Sequence, residues 1–200
     1  MSIRSKVHLV RSIVAALAAT AGVAMAQAPA DSGARAKVQR SASSSTTPAA
    51  VEAPRLAVGA QARLGGVQLD GKPFDLNSTR GKVTLVAFWH KDCAVCRARM
   101  PELRANYLGW RDKPFELVSV ATDSDVQSVR DYEQILQVAV PQAQNFPRLW
   151  RGGASHADNF GPISTYPTSF LLDRQGKVLR VFVGRIEAAL WDDIAEVVLQ

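Results

Sequence analysis

The clearest pattern in the chain begins at Val83. Val83-Thr84-Leu85-Val86-Ala87-Phe88-Trp89 is an almost unbroken apolar, β-rich run. A strand buried on both faces reads this way, because neither side meets water. Phe115-Glu116-Leu117-Val118-Ser119-Val120-Ala121 repeats the pattern. Ser169 to Asp173 and Val178 to Val183 predict two more strands, joined by the turn Arg174-Gln175-Gly176-Lys177. Between these runs the period changes. From Ala94 to Leu108, Met100, Leu103, Tyr107 and Leu108 approximate helical spacing, with a kink expected at Pro101. Asp123 or Ser124 is the candidate cap of a helix running to about Val140 and stopped by Pro141. Glu187 to Leu199 predicts a closing helix with Ala189, Leu190, Ile194, Val197 and Val198 as its apolar face. Phe146 to Trp150 reads as a short strand and Ala157 to Phe160 as a short helix.

Ahead of the first buried strand, Gly65 to Leu69 and Phe74 to Leu76 predict a hairpin about Asp70-Gly71-Lys72-Pro73. The Asp-Gly pair supplies the positive φ that a tight turn needs. Strands alternating with helices, then a hairpin and a helix, predict an α/β fold whose sheet is covered by helices on both faces.

The first third of the chain has a different texture. Arg4, Lys6 and Arg11 precede an apolar, Ala-rich stretch from Ile13 to Val23, followed by small residues at Ala24-Met25-Ala26. That is the layout of an export signal over residues 1–26, with Ala26-Gln27-Ala28 as a second cleavage choice. The apolar stretch is shorter than the roughly 20 residues a membrane span needs. An uncleaved anchor is the competing expectation, and the absence of a Cys after the stretch argues against a lipid anchor. Residues 27–57 are Ala, Ser, Thr, Pro, Gln and Arg in the main, with no aromatic residue, which predicts a flexible linker to a domain over 58–200.

The three early basic residues carry half of the formal charge of +6. The remainder includes no Lys/Arg run and no aromatic ladder, so a nucleic-acid partner is not expected.

The chemistry concentrates at Cys93-Ala94-Val95-Cys96, the only two cysteines in the chain. The first follows a strand and stands at a helix start, where free backbone N–H groups and the helix dipole favour a thiolate. The second lies one turn later, close enough to close a disulfide or resolve a mixed one. Lys91, Arg97 and Arg99 add positive charge nearby, and Asp92 opposes them. Three other readings compete. A structural bridge over so short a loop removes little unfolded-state entropy. A zinc or cuprous-copper site would draw on both cysteines with His90 and His156. Two unrelated free thiols would be unusual in an exported chain.

The segment from Phe88 to Leu103, with its Cys-x-x-Cys and Pro101 eight residues after the first Cys, resembles the active-site segment of the TlpA/ResA-like thioredoxin family. Leu69-Asp70-Gly71-Lys72-Pro73-Phe74 with Arg80-Gly81-Lys82, and Tyr166 to Asp173 with Gly176 and Val183-Gly184, extend the likeness over nearly all of residues 60–200. The resemblance implies a thioredoxin-like fold with a central mixed sheet and an N-terminal hairpin. It implies a thiol-disulfide oxidoreductase with Cys93 attacking and Cys96 resolving. Pro167 would be a cis-proline facing the disulfide, and Tyr166 would offer backbone groups to a substrate. Trp89 completes the substrate-binding set and, with Pro101, would serve as a structural support. The implied partners are protein thiols and disulfides and a membrane-bound electron donor, with no further cofactor and no resident metal. The implied setting is a monomeric, exported (periplasmic) reductant, for example in cytochrome c maturation or copper-site reduction, with a disulfide oxidant or isomerase, or a copper-handling protein using Cys93, Cys96 and a His, as the alternatives.

The chain also departs from the family. Asp92 stands where an aromatic is usual before the first Cys, and Ala94-Val95 includes no proline. Ala87 stands where thioredoxins bury an acid, and no other acid is an obvious replacement, Glu102 being expected on the solvated helix face.

Overall fold

The computed structural model describes residues 56–139 and 146–200. The expected export signal, most of the linker and the Val140–Pro141 helix stop lie outside the described residues. The hairpin forms first in chain order. Strand β1 (Leu64–Val67) pairs antiparallel with β2 (Pro73–Asp75). Gly71 has φ +89°, the left-handed conformation anticipated for this turn. A single 3-10 turn (Leu76–Thr79) follows, capped by the Asp75 carboxylate on the Asn77 N–H at 2.8 Å.

The main sheet contains β3 (Val83–Trp89), β4 (Phe115–Ala121), β5 (Arg148–Trp150), β7 (Thr168–Leu172) and β8 (Val178–Val183). Its order is β5-β4-β3-β7-β8. β3, β4 and β5 run parallel, whereas β7 is antiparallel to both β3 and β8, so the sheet is mixed. The parallel strands are linked by α1 (Ala94–Gly109) and α2 (Val126–Ala139), and α3 (Ala188–Leu199) closes the chain. All seven residues of β3 are buried, as its unbroken apolar run predicts. At about 1.5–3 kcal/mol for each large apolar side chain removed from water, this central strand is a main source of cohesion.

Alternation along β3 separates two cores. Val83, Leu85 and Ala87 pack with Phe115, Leu117, Leu171 and Phe182 against Leu103 and Tyr107 of α1 and Leu190, Ile194 and Val198 of α3. Trp89 and Ala121 continue that face and meet Val129 and Tyr132 of α2. Val86 and Phe88 point the other way, with Val118, Val120, Phe170 and Leu172, and meet Leu64, Phe74, Leu76 and Phe160. Helical elements thus lie on both faces, but unequally. Three α-helices cover one face, and the 3-10 turn with the hairpin covers the other. The crossovers β3–α1–β4 and β4–α2–β5 advance in the same direction, and right-handed connections place their helices on the same side.

Two expectations are corrected. Ala157 to Phe160 is not a helix. Ala157–Asp158 forms β6, which adds to β1 and makes a small sheet of order β2-β1-β6. Four residues cannot offset the cost of helix nucleation, whereas the free edge of β1 offers ladder bonds at once. The cap of α2 is neither Asp123 nor Ser124. The Asp125 carboxylate accepts the N–H groups of Gln127 and Ser128, both at 3.0 Å, and these bonds hold its pKa below the usual value.

Candidate active site

The carboxyl ends of β3, β4 and β5 lie side by side, and the loops leaving them build the site. Such ends are where open α/β sheets place chemistry. β3 delivers Trp89, and Cys93 becomes the N-cap of α1, its Sγ accepting the Cys96 N–H at 3.0 Å. Cys93 and Cys96 form a disulfide, with Cα atoms 5.2 Å apart. The two sulfurs are not equivalent. Cys93 is half-buried, whereas Cys96 is 2% exposed and packs with Trp89 and Met100. The backbone N–H at 3.0 Å and the helix dipole both stabilise negative charge on Cys93 once the bridge is opened.

The loop before β7 reaches the same place. The Tyr166–Pro167 peptide is cis, and the Tyr166 carbonyl oxygen lies 3.6 Å from Cys93 Sγ. Pro167 is buried, its carbonyl accepting the Gly184 N–H at 2.7 Å. Tyr166 is half-exposed, and its hydroxyl donates to the Ile163 carbonyl at 3.0 Å. The structure therefore gathers Cys93, Cys96, Tyr166 and Pro167 from two segments far apart in sequence.

Trp89 requires a correction. It is 1% exposed, and its indole Nε1 donates to Ser119 Oγ at 2.8 Å. A side chain so enclosed cannot meet a substrate. It packs beside Cys96 and Met100 under the disulfide.

Asp123 is a site residue that sequence reasoning misses. It directly follows the β4–Thr122 corner and is 3% exposed. Its carboxylate oxygens accept the Lys91 N–H at 3.1 and 3.3 Å, and one lies 3.4 Å from His90 Nδ1. The Trp150 indole donates to its backbone carbonyl at 2.7 Å. The available signal is a polar residue just past a buried parallel strand, beside the strand that carries the cysteines. The same signal fits a helix cap, which is how the residues alone present it. Asp123 thus holds the His90–Lys91 corner from which Cys93 emerges.

His90 Nδ1 lies 3.1 Å from the Asp92 backbone nitrogen and 3.4 Å from an Asp123 carboxylate oxygen. His156 is engaged elsewhere, its Nε2 2.7 Å from Asp158 Oδ2. Among the described residues, the compact group of metal-capable side chains is His90, Asp92 and Asp123, with donor atoms within 4.8 Å of one another. That group includes neither cysteine.

The charges around the bridge are partly paired. Lys91 Nζ sits 2.9 and 3.0 Å from the two oxygens of Asp92, raising the lysine pKa and lowering the aspartate's. Arg97 donates to the Lys91 carbonyl at 2.9 Å. Glu102, expected on the solvated face, is half-buried instead. It accepts the Trp191 indole N–H at 3.0 Å and lies 3.5 Å from Arg99.

Comparison with known proteins agrees with this geometry. Over 116 residues the chain is 28% identical to thiol-disulfide oxidoreductase ResA of Bacillus cereus, covering 58% of this chain and 63% of the relative. It is 25% identical over 124 residues to ResA of Bacillus subtilis (strain 168), covering 62% and 65%. The match spans less than two thirds of the length of these curated relatives. Among solved structures, a putative thiol:disulfide interchange protein DsbE from Chlorobium tepidum superposes with a TM-score of 0.59 at 26% identity, covering 72% of this chain and 99% of that one. A putative thioredoxin from Neisseria meningitidis gives a TM-score of 0.55 at 26% identity, covering 68% and 87%. The thioredoxin-like expectation for the fold therefore holds. The AhpC/TSA family model matches residues 51–181, well over half of the chain, and the protein belongs to the AhpC/TSA family.

Proposed function

We propose that the protein is an exported thiol-disulfide oxidoreductase that reduces disulfides in protein substrates through Cys93 and Cys96. The observation that carries this reading is the asymmetry of the two sulfurs. One is half-exposed at a helix N-cap beside the Tyr166–Pro167 cis peptide, and the other is sealed one turn behind it. In the reduced protein, the Cys93 thiolate attacks one sulfur of a substrate disulfide and expels the other as a thiolate, leaving a mixed disulfide. Deprotonated Cys96 then attacks Cys93 Sγ and releases the second substrate thiol. The substrate gains two electrons and two protons, and the protein is left as the Cys93–Cys96 disulfide. A membrane-bound dithiol donor would restore it. Tyr166 and Pro167 would receive the substrate backbone. The basic and apolar start of the chain supports export, and the likeness to proteins named thiol-disulfide oxidoreductase supports the reaction class. The domain would act as a monomer.

The test combines two measurements. The Cys93–Cys96 couple is equilibrated in graded thiol/disulfide buffers and trapped by alkylation. A potential at or below about −200 mV supports a reductant, whereas one near about −120 mV makes the protein an oxidant. Cys96→Ser should accumulate a mixed disulfide with substrate, and Cys93→Ser should form none and lose exchange about 10³-fold or more. A pair that never titrates would sink the redox reading.

A further inference from the structure

Beside Pro167, a small notch opens between α1, α3 and the β7–β8 ends. Its floor is Leu103, Pro167, Ile186 and Trp191, and its rim carries Arg99, Glu102 and Arg185. Its distance from the chemistry is short, since Pro167 lines it and the preceding Tyr166 carbonyl is 3.6 Å from Cys93 Sγ. The rim charges are unequal. Glu102 is already engaged by Trp191 and Arg99. Arg185 is exposed and has no carboxylate partner among the described residues. The same holds for Arg97, on the first turn of α1. On the near side, Asp92 is neutralised by Lys91. Arg97 and Arg185 thus offer exposed guanidinium groups with no carboxylate at ion-pair distance among the described residues, while the Asp123 carboxylate behind Lys91 is nearly sealed from solvent.

We infer that Arg97, Arg99 and Arg185 select substrate segments bearing a carboxylate within a few residues of the reacting cysteine. This inference rests on the exchange activity proposed above. An extended polypeptide advances about 3.3 Å per residue, so a chain laid across Cys93 and Pro167 brings its next few side chains over this arc. The arginines offer planar donor forks that match a carboxylate, and they face solvent, so the attraction steers the encounter rather than locking the complex. The indole of Trp191 holds Glu102 back, which keeps that carboxylate from competing fully for the arc.

The test uses the full chain, reduced beforehand, and three synthetic peptides. Each carries one cysteine as a mixed disulfide with thionitrobenzoate, flanked by Glu, Gln or Lys at two and three residues from the cysteine. Release of thionitrobenzoate is followed by stopped flow. The Glu peptide should react about three- to tenfold faster than the Lys peptide at low ionic strength, with the ratio falling towards one near about 0.5 M salt. Arg99→Glu/Arg185→Glu, checked for folding by circular dichroism, should bring the ratio below one. Equal rates for all three peptides at low salt, with exchange intact, would overturn the inference and leave the redox reading standing. A preference that survives the double reversal would also overturn it. No exchange with any peptide would remove the redox reading and this inference together.

Discussion

Two charged regions of the molecule treat their ions in opposite ways. At the disulfide rim, Lys91 and Asp92 pair in the open, with the Asp92 side chain 67% exposed. At the seam between α1 and α2, Arg104 and Glu133 pair at 3.1 Å, with side chains 2% and 5% exposed, and Arg148 from β5 joins at 3.2 Å. Only some 12 residues of chain separate Lys91 from Arg104. In water the rim pair is screened and easily rearranged, so it constrains a partner little. The seam pair has lost its water, and each member depends on the other. The lesson is a division of labour along one helix. Its first turn is left free for chemistry, and its third is committed to architecture, with Arg104 also lying over the Phe146 ring at 5.0 Å.

The strongest way to break this comparison is at the seam. Glu133→Gln should cost about 3–5 kcal/mol of stability, because it removes the carboxylate charge that pairs with the guanidinium groups of Arg104 and Arg148 at the seam. Urea denaturation measures the loss, and exchange rates per folded molecule should stay within about twofold if the seam is purely architectural. A second interior cluster extends the test to the other sheet face. Asp158 accepts from His156 and from Arg151, the latter at 2.8 and 2.9 Å. Burial raises its pKa, but these hydrogen bonds outweigh burial and hold it below the usual 3.8. A depressed carboxylate pKa stabilises the fold above the unfolded value and loses that contribution as pH falls through the folded value. Asp158→Asn should therefore cost about 2–3 kcal/mol at pH 7, with the gap to wild type shrinking only below pH 3.8. Urea midpoints taken from pH 7 down to pH 3 decide it.

Smaller effects belong nearer the rim. Trp89→Phe removes the bond to Ser119 and leaves a buried hydroxyl short of a partner, for about 1–2 kcal/mol. Because Trp89 lies under the bridge, the reduction potential should shift as well, and titration in thiol buffers detects it. Lys91→Ala should leave the thermal unfolding midpoint essentially where it is in the wild type. A large drop there would mean that the rim is built like the seam.

Much of this is legible in the residues. The buried strands β3, β4 and β7 announce themselves by runs that are mostly apolar, and β8 by its β-rich composition after a Gly-containing turn. The two cysteines announce themselves by spacing, and Tyr166-Pro167 by resemblance. The ions of the interior are not legible. Glu133 sits on a helix where a glutamate ordinarily faces water, and its partners Arg104 and Arg148, some 29 and 15 positions away, make its burial tolerable. Asp123 is hidden for a similar reason, because its partner is a backbone N–H of another loop rather than a side chain with a recognisable pattern. β6 escapes a sequence reading because two residues of edge strand carry no period of their own.

The position of β7 has a consequence for the order in which the chain can be assembled. β3 is central and wholly buried, and its second edge is satisfied only by β7, at residues 168–172. Until that late segment arrives, a chain that has already joined β3, α1 and β4 presents an unpaired apolar strand edge, a template for association with other chains. A nascent chain threaded through a membrane from its first residue would expose that edge before its cover emerges. The sheet's strand order therefore leaves an interval, set by the length of chain between β4 and β7, in which the β3 edge is open to other chains.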